Sequence, residues 1–242
     1  MVDFRPISLC NVVYKIVSKA LANRLCMVLG EVIFEEQSAF VPGRLITDNA
    51  IIGFECLYAL RTKKRENGSI ALKLDMSKAY DRVEWDYVSK VMQKLGFSER
   101  WIQRVMDCVR TVRFSFLING TMCGSFVPSR GLRQGDMLSP YLYLLVSEGL
   151  SGLIRVAMDQ NVYTGFRCWR TGPVISHLFF ADDSLLLLGA TTTECLKICR
   201  ILDVYSRSTR QLVNFETSGM CQSYCFQFGG GTFGCDHWSS TS

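Results

Sequence analysis

Two adjacent carboxylates, Asp182 and Asp183, interrupt an otherwise apolar stretch running from His177 to Leu188. Neighbouring carboxylates repel, and setting them between Phe180 and Leu185 costs desolvation unless a cation offsets them. The apolar runs His177 to Phe180 and Ser184 to Leu188 are three residues apart, which predicts a hairpin with the acids at its tip. A solvated turn is the alternative, since Asp is common in turns. A third carboxylate bears on the choice. Ile70, Leu72 and Leu74 alternate with Ala71 and Lys73, which predicts a short strand running out at Asp75. If the two strands are neighbours, Asp75 and Asp182 meet at one sheet edge. Carboxylates with no His or Cys partner suit a hard, oxygen-preferring ion such as Mg²⁺. Two such ions about 3.5–4 Å apart serve in-line phosphoryl transfer by stabilising both the attacking and the leaving oxygen.

The remaining pattern is mixed. Helices are expected over residues 11–29, 48–60, 86–95, from Ser98 onward, 139–157 and 194–206, from apolar spacing near 3.6 residues and from stops such as Gly30 and Gly96. Pro140 sits at the start of the fifth, where its missing N–H costs nothing. Arg113 to Ile118 alternates as a strand, and Asn119–Gly120 signals a tight hairpin into Thr121 to Val127. Two antiparallel hairpins among helices argue for an α+β fold, with helices on one face of a mainly antiparallel sheet. No P-loop is present. The charged loop from Lys63 to Gly68 reads as a solvated turn, and Trp85 and Trp101 as core anchors.

Composition excludes a disordered chain: of 242 residues, 48% are hydrophobic and 20% charged. No continuous apolar run approaches the roughly 18 residues of a membrane span. The net charge of +5 is compatible with a basic groove without demanding one. Eleven scattered cysteines follow a start with no secretory pattern, so they are expected as free thiols in an intracellular, reducing compartment, nucleus or cytoplasm. Cys195 and Cys199 have metal-ligand spacing on a helix but also suit a core. Cys221, Cys225, Cys235 and His237 resemble a zinc set whose spacing fits no common finger. From Gly219 the chain carries no Lys or Arg, five Gly and dense aromatics without periodicity, so residues 219–242 are expected to be an aberrant, disordered tail.

Leu74-Asp75-Met76-Ser77-Lys78-Ala79-Tyr80-Asp81-Arg82-Val83 resembles motif A of reverse transcriptases. Arg130-Gly131-Leu132-Arg133-Gln134-Gly135-Asp136 with Ser139-Pro140 resembles motif B, and Phe180-Ala181-Asp182-Asp183 resembles motif C. Phe4-Arg5-Pro6-Ile7-Ser8-Leu9 and Gln37-Ser38-Ala39-Phe40-Val41-Pro42-Gly43-Arg44 look like finger motifs of non-LTR (LINE-type) elements in the style of plant genomes. The similarity spans residues 1–218 in order. It implies a right-hand polymerase fingers–palm, with fingers over 1–69 and a palm, open to finger insertions, over 70–218.

The resemblance also implies roles. Asp75 and Asp182 ligate two Mg²⁺ ions (Mn²⁺ a possible substitute), Asp183 is a weaker partner, and the Met76 carbonyl adds a ligand. Tyr80 is a steric gate against the ribose 2′-hydroxyl, or a core aromatic, or both. Asp81 is a structural acceptor. Gln134 and Gly135 lie beside the incoming nucleotide, and Arg5, Lys15 and Arg44 are candidates for its triphosphate, each with a surface ion pair as the alternative. Arg130 and Arg133 either touch template backbone or cap local carbonyls, and His177 is structural. The partners implied are an RNA template, a DNA primer and deoxynucleoside triphosphates.

The sequence departs from the family pattern in several places. Met137 replaces the Pro after motif B. Arg210 replaces a Gly and is expected in a left-handed position. Thr217 stands where a Lys, candidate proton donor to pyrophosphate, is usual. The primer grip and thumb are not recognisable after Ser218, and no endonuclease domain precedes Met1. Two expectations follow: an RNA-directed DNA polymerase truncated to fingers and palm, or a catalytically inert remnant with residual nucleic-acid binding. A maturase shares the palm but calls for a further RNA-binding domain.

Overall fold

The computed structural model describes residues 7–62, 68–214 and 216–222. Its order is α1 (Val12–Val32), α2 (Ile46–Thr62), β1 (Ser69–Leu74), α3 (Trp85–Lys94), α4 (Glu99–Arg110), β2 (Phe114–Ile118), β3 (Thr121–Phe126), α5 (Ser139–Asp159), β4 (Phe166–Arg167), β5 (Val174–Ile175), β6 (His177–Phe180), β7 (Asp183–Gly189), α6 (Thr192–Thr209) and β8 (Gly219–Gln222). The main sheet runs β6-β7-β1-β8, with every neighbouring pair antiparallel. β2–β3 and β4–β5 form two further hairpins.

Side-chain alternation explains how the sheet is covered. Ile70, Leu72 and Leu74 of β1 and Leu186 and Leu188 of β7 face a core built with α1, α3, α4, α5 and α6. Ala71, Leu185, Leu187 and Leu178 face the other way, onto Cys56, Ala59 and Leu60 of α2 and onto Phe166 and Cys168. Helices expected on one face thus cover both. A strand buried on both sides reads as a continuous apolar run rather than as a clean alternation, which is what Leu185 to Leu188 shows. Gly53 of α2 faces Leu185, where a Cβ would stand 3.4 Å from its side chain, an ordinary packing distance.

α5 overturns one expectation from runs. At 21 residues it is apolar enough, by length and composition, to cross a membrane. Its Ser, Gly and Glu residues broke the run in sequence, yet Leu142, Leu144, Leu145, Val146, Leu150 and Ile154 are all buried, and it serves as the core helix.

The expected tail needs correction at its start. Gly219–Gln222 pairs with β1 as the sheet's fourth strand. β1 would otherwise present a row of unmet backbone donors and acceptors on that side. Four residues are too few to show a period. Arg5, the loop residues Lys63 to Asn67, and Cys225, Cys235 and His237 lie outside the described residues.

Candidate active site

The two expected strands are neighbours. β1 and β7 pair with Leu74 opposite Ser184, and Phe180 pairs with Asp183 around a turn of only Ala181 and Asp182. Asp75, one step beyond Leu74, therefore reaches the same sheet edge as Asp182 and Asp183. Two stacked rings lie under that edge: Tyr80 and Tyr143, centroids 5.2 Å apart and planes 10° apart. Burial, then the Asp182 charge, pushes the Tyr80 phenol up to about 12. Burial raises Tyr143 further, helped by Asp182, Tyr80, Asp75 and Asp183 in that order. Both phenols stay protonated at neutral pH, and the Tyr143 ring feels all three carboxylates.

The segment after α6 clamps Asp75. The Asn214 N–H donates to the Asp75 carbonyl at 2.7 Å, the Ser77 N–H to the Leu212 carbonyl at 2.8 Å, and Met76 bridges Val213. The Asp75 N–H donates to the Ser218 hydroxyl at 3.1 Å. Carboxylate oxygen Oδ2 accepts from the Asn214 amide at 3.4 Å and from the Thr217 hydroxyl. Arg210 caps α6 at φ +60°, the left-handed position foreseen for it. On the other flank Lys73 lies 3.7 Å from Asp183, both side chains about half exposed, so solvent screens the pair.

Motif B packs against the turn after β1. The Gly131 N–H donates to the Val83 carbonyl and the Leu132 N–H to the Tyr80 carbonyl, each at 2.8 Å. Gly131 is at φ +91°, and a Cβ would stand 3.0 Å from the Asp81 carbonyl oxygen. The Gln134 amide donates to Asp81 at 3.3 Å, so Asp81 is an acceptor as foreseen, and the Ser8 N–H donates to the Gln134 carbonyl at 3.0 Å. Gly135 is at φ +91° beside Ser8. Tyr14, Asp81, Arg130, Gln134 and Asp136 line a cleft of about 720 Å³ at this point.

The finger cations fare differently. Arg44 donates to the carbonyls of Phe34, Gln37, Gly30 and Ile33 at 2.5, 2.9, 3.4 and 2.9 Å. Three carbonyl acceptors at the end of α1 and that of Gln37 beyond it hold its guanidinium, so its place is that of a helix cap rather than a free triphosphate contact. Lys15 is exposed on α1. Arg133 donates to the Cys108 carbonyl at 3.1 Å and lies 3.5 Å over the Tyr14 ring, while Arg130 pairs with Glu84 at 3.3 Å. Buried His177 bonds Ser151 and Ser176, and burial lowers it to about 4, so it is neutral and structural.

Among the described residues no group of three or more His, Cys, Asp or Glu side chains converges closely enough to hold a metal ion. Three carboxylates repel until a cation joins them, and here Asp75 turns to Thr217 and Asp183 to Lys73. The donor set still fits a hard divalent ion: all its atoms are oxygens, held at one edge of a rigid sheet. Sequence reasoning gave no role to Tyr143, Asn214 or Ser218. Tyr143 sits in an apolar helix run, and Asn214 and Ser218 act only through the loop that folds them back.

A family model described as reverse transcriptase (RNA-dependent DNA polymerase) matches residues 1–233, carrying the likeness past Ser218. The chain is 31% identical over 217 residues to the Transposon TX1 uncharacterized 149 kDa protein of Xenopus laevis, covering 89% of this chain and 16% of that protein. It is 30% identical over 196 residues to the Pol polyprotein of the type-2 retrotransposable element R2DM of Drosophila melanogaster, covering 81% and 17%. Over 69 residues it is 55% identical to the mitochondrial protein AtMg01250 of Arabidopsis thaliana, 28% of this chain and 57% of that one. Against the two transposon proteins the chain spans about a sixth of their length. Telomerase from Candida albicans shares the fold at TM-score 0.57 and 15% identity, over 89% of this chain and 35% of that one.

Proposed function

Because this chain belongs to the reverse transcriptase family, with relatives among non-LTR retrotransposon proteins, we propose that it carries the fingers, over residues 1–69, and the palm, from residue 70 through the β8 strand, of an RNA-directed DNA polymerase. The observation that carries the reading is the meeting of Asp75 with the Asp182–Asp183 turn across β1 and β7. Asp75 and Asp182 would hold two divalent ions, Mg²⁺ or Mn²⁺, with Asp183 and the Met76 carbonyl beside them. Such ions, when bound, stabilise the attacking and leaving oxygens of phosphoryl transfer. The chain's own residues do the rest. The Tyr80 ring, fixed by its stack on Tyr143, limits room beside the sugar and favours deoxynucleotides. Asp81 orients the Gln134 amide, which lines the cleft, and Gly135 follows it at φ +91° with no side chain in the way. The substrates are a primer 3′-hydroxyl, a deoxynucleoside triphosphate and an RNA template. Arg5 and Lys15 remain the triphosphate candidates. An intracellular setting, nucleus or cytoplasm, is part of the same reading, and no disulfide joins the nine described cysteines.

Thr217 favours a second reading. It places a neutral hydroxyl on Asp75 where the family pattern has a Lys, so the chain could bind nucleic acid and not extend it. The test is extension of a DNA primer on an RNA template by the purified chain with Mg²⁺. Deoxynucleotide addition supports the polymerase; retention of the duplex with no added nucleotide supports the inert reading.

A further inference from the structure

The turn that carries Asp182 and Asp183 is held from outside the sheet. Ala181, immediately before Asp182, is at φ +62°, a left-handed conformation that a residue with a Cβ adopts reluctantly. Its N–H donates to Oε1 of Gln37 at 3.3 Å, and the same oxygen accepts from the Ala39 N–H at 3.0 Å. Gln37 and Ala39 are fully buried, so water does not stand in for this acceptor at Ala39, while Ala181 is half-buried.

Further contacts tie Glu36 and Gln37 to the hairpin and to α5. Gln37 forms a parallel bridge with Phe179, whose N–H donates to the Glu36 carbonyl at 2.8 Å. The buried Asn49 amide donates to the carbonyls of Glu36, at 2.8 Å, and Phe179, at 3.1 Å. Arg155 grips both oxygens of Glu36 at 2.9 and 2.8 Å. The loop after α1 thus acts as a stub of strand alongside β6 and ends on the turn.

We propose that Gln37 is a positioning residue. Its Oε1 holds the left-handed turn at Ala181, so that Asp182 and Asp183 present their carboxylates together to a divalent cation. The inference rests on the metal site of the preceding section. It asks of Gln37 only an acceptor, because its Nε2 has no partner among the described residues. Gln37→Glu keeps that acceptor in either protonation state, whereas Gln37→Leu removes it and leaves the Ala181 and Ala39 amides unmet.

The probe is Mn²⁺ alone, titrated into the full chain and read from the resonance of free Mn²⁺, with Tm recorded for each variant. Gln37→Leu is expected to weaken Mn²⁺ binding about fivefold or more, the consequence of losing one buried acceptor. Gln37→Glu, which keeps an acceptor while adding a carboxyl group beside the turn, is expected to weaken Mn²⁺ binding less than Gln37→Leu does. A folded Gln37→Leu that binds Mn²⁺ like the parent, with only its Tm lowered, overturns the proposal. Amide exchange on the parent chain gives a reading that needs no variant: an Ala181 amide exchanging at the unstructured rate overturns it equally. A parent chain that binds no Mn²⁺, or that binds no better than Asp182→Ala, overturns the metal site itself and so is told apart from a failure of Gln37.

Discussion

Asp75 shows how a single carboxylate is prepared and restrained by its surroundings. Its carbonyl, its N–H and one carboxylate oxygen all bond the segment 214–218. Thr217 sits directly on the oxygen that an ion would use, and a Lys there would bring both a charge and a transferable proton. Thr217→Lys is therefore expected to raise the rate of single-nucleotide addition at saturating triphosphate by about tenfold or more, toward the range of general acid catalysis. Glu148 makes a second prediction at this scale. Burial pushes it up to about 7 from 4.5, against the Phe34 N–H, Arg155 and Arg44, which lower it. Between those values the unfolded chain has lost the proton and the folded chain has kept it. Stability therefore falls as pH rises through that window. Glu148→Gln keeps an acceptor for the Phe34 N–H. It is expected to gain on the order of 2–3 kcal/mol at pH 8 and nothing near pH 4, measured by denaturant unfolding at both.

Elements place these residues, and their legibility follows from length and periodicity. α3 and the start of α4 match the sequence reading to within a residue because their apolar positions repeat and their far faces are polar. Asn119 and Gly120 both adopt positive φ, as their pairing in a tight hairpin demands. β4, β5 and β8 were missed, the first two being two residues each and the last four. Such pieces exist because a neighbouring strand edge needs partners, a fact no local window contains. The aspartate pair was legible because its position is costly without function. Arg44 misled for the opposite reason: in sequence a cation near a finger motif looks free, while in the fold the end of α1 claims it. Two substitutions test the element account. Leu186→Ala, in the fully buried centre of β7, is expected to cost about 2–5 kcal/mol in urea unfolding. Gly131→Ala is expected to cost about 1–2 kcal/mol, because its left-handed backbone penalises a Cβ.

At the scale of the whole molecule, one sheet with both faces covered presents its carboxylates at a single edge. The tyrosines lie under that edge, the 214–218 segment clamps it from one side, and the Gln37 loop buttresses the turn from the other. Several large apolar side chains remain exposed on α1, α2 and the β2–β3 hairpin, among them Ile16, Phe54 and Phe116. Duplex binding by this chain is expected to weaken as salt rises, with a log–log slope of about 0.9 for each phosphate contacted. The claim on which the rest depends is that the carboxylate edge performs nucleotide transfer. The most direct measurement compares primer extension on an RNA template, with Mg²⁺, by the parent chain and by Asp182→Ala at equal duplex occupancy. The account predicts extension by the parent and a loss of at least about a hundredfold in the variant; extension undiminished in Asp182→Ala would contradict it.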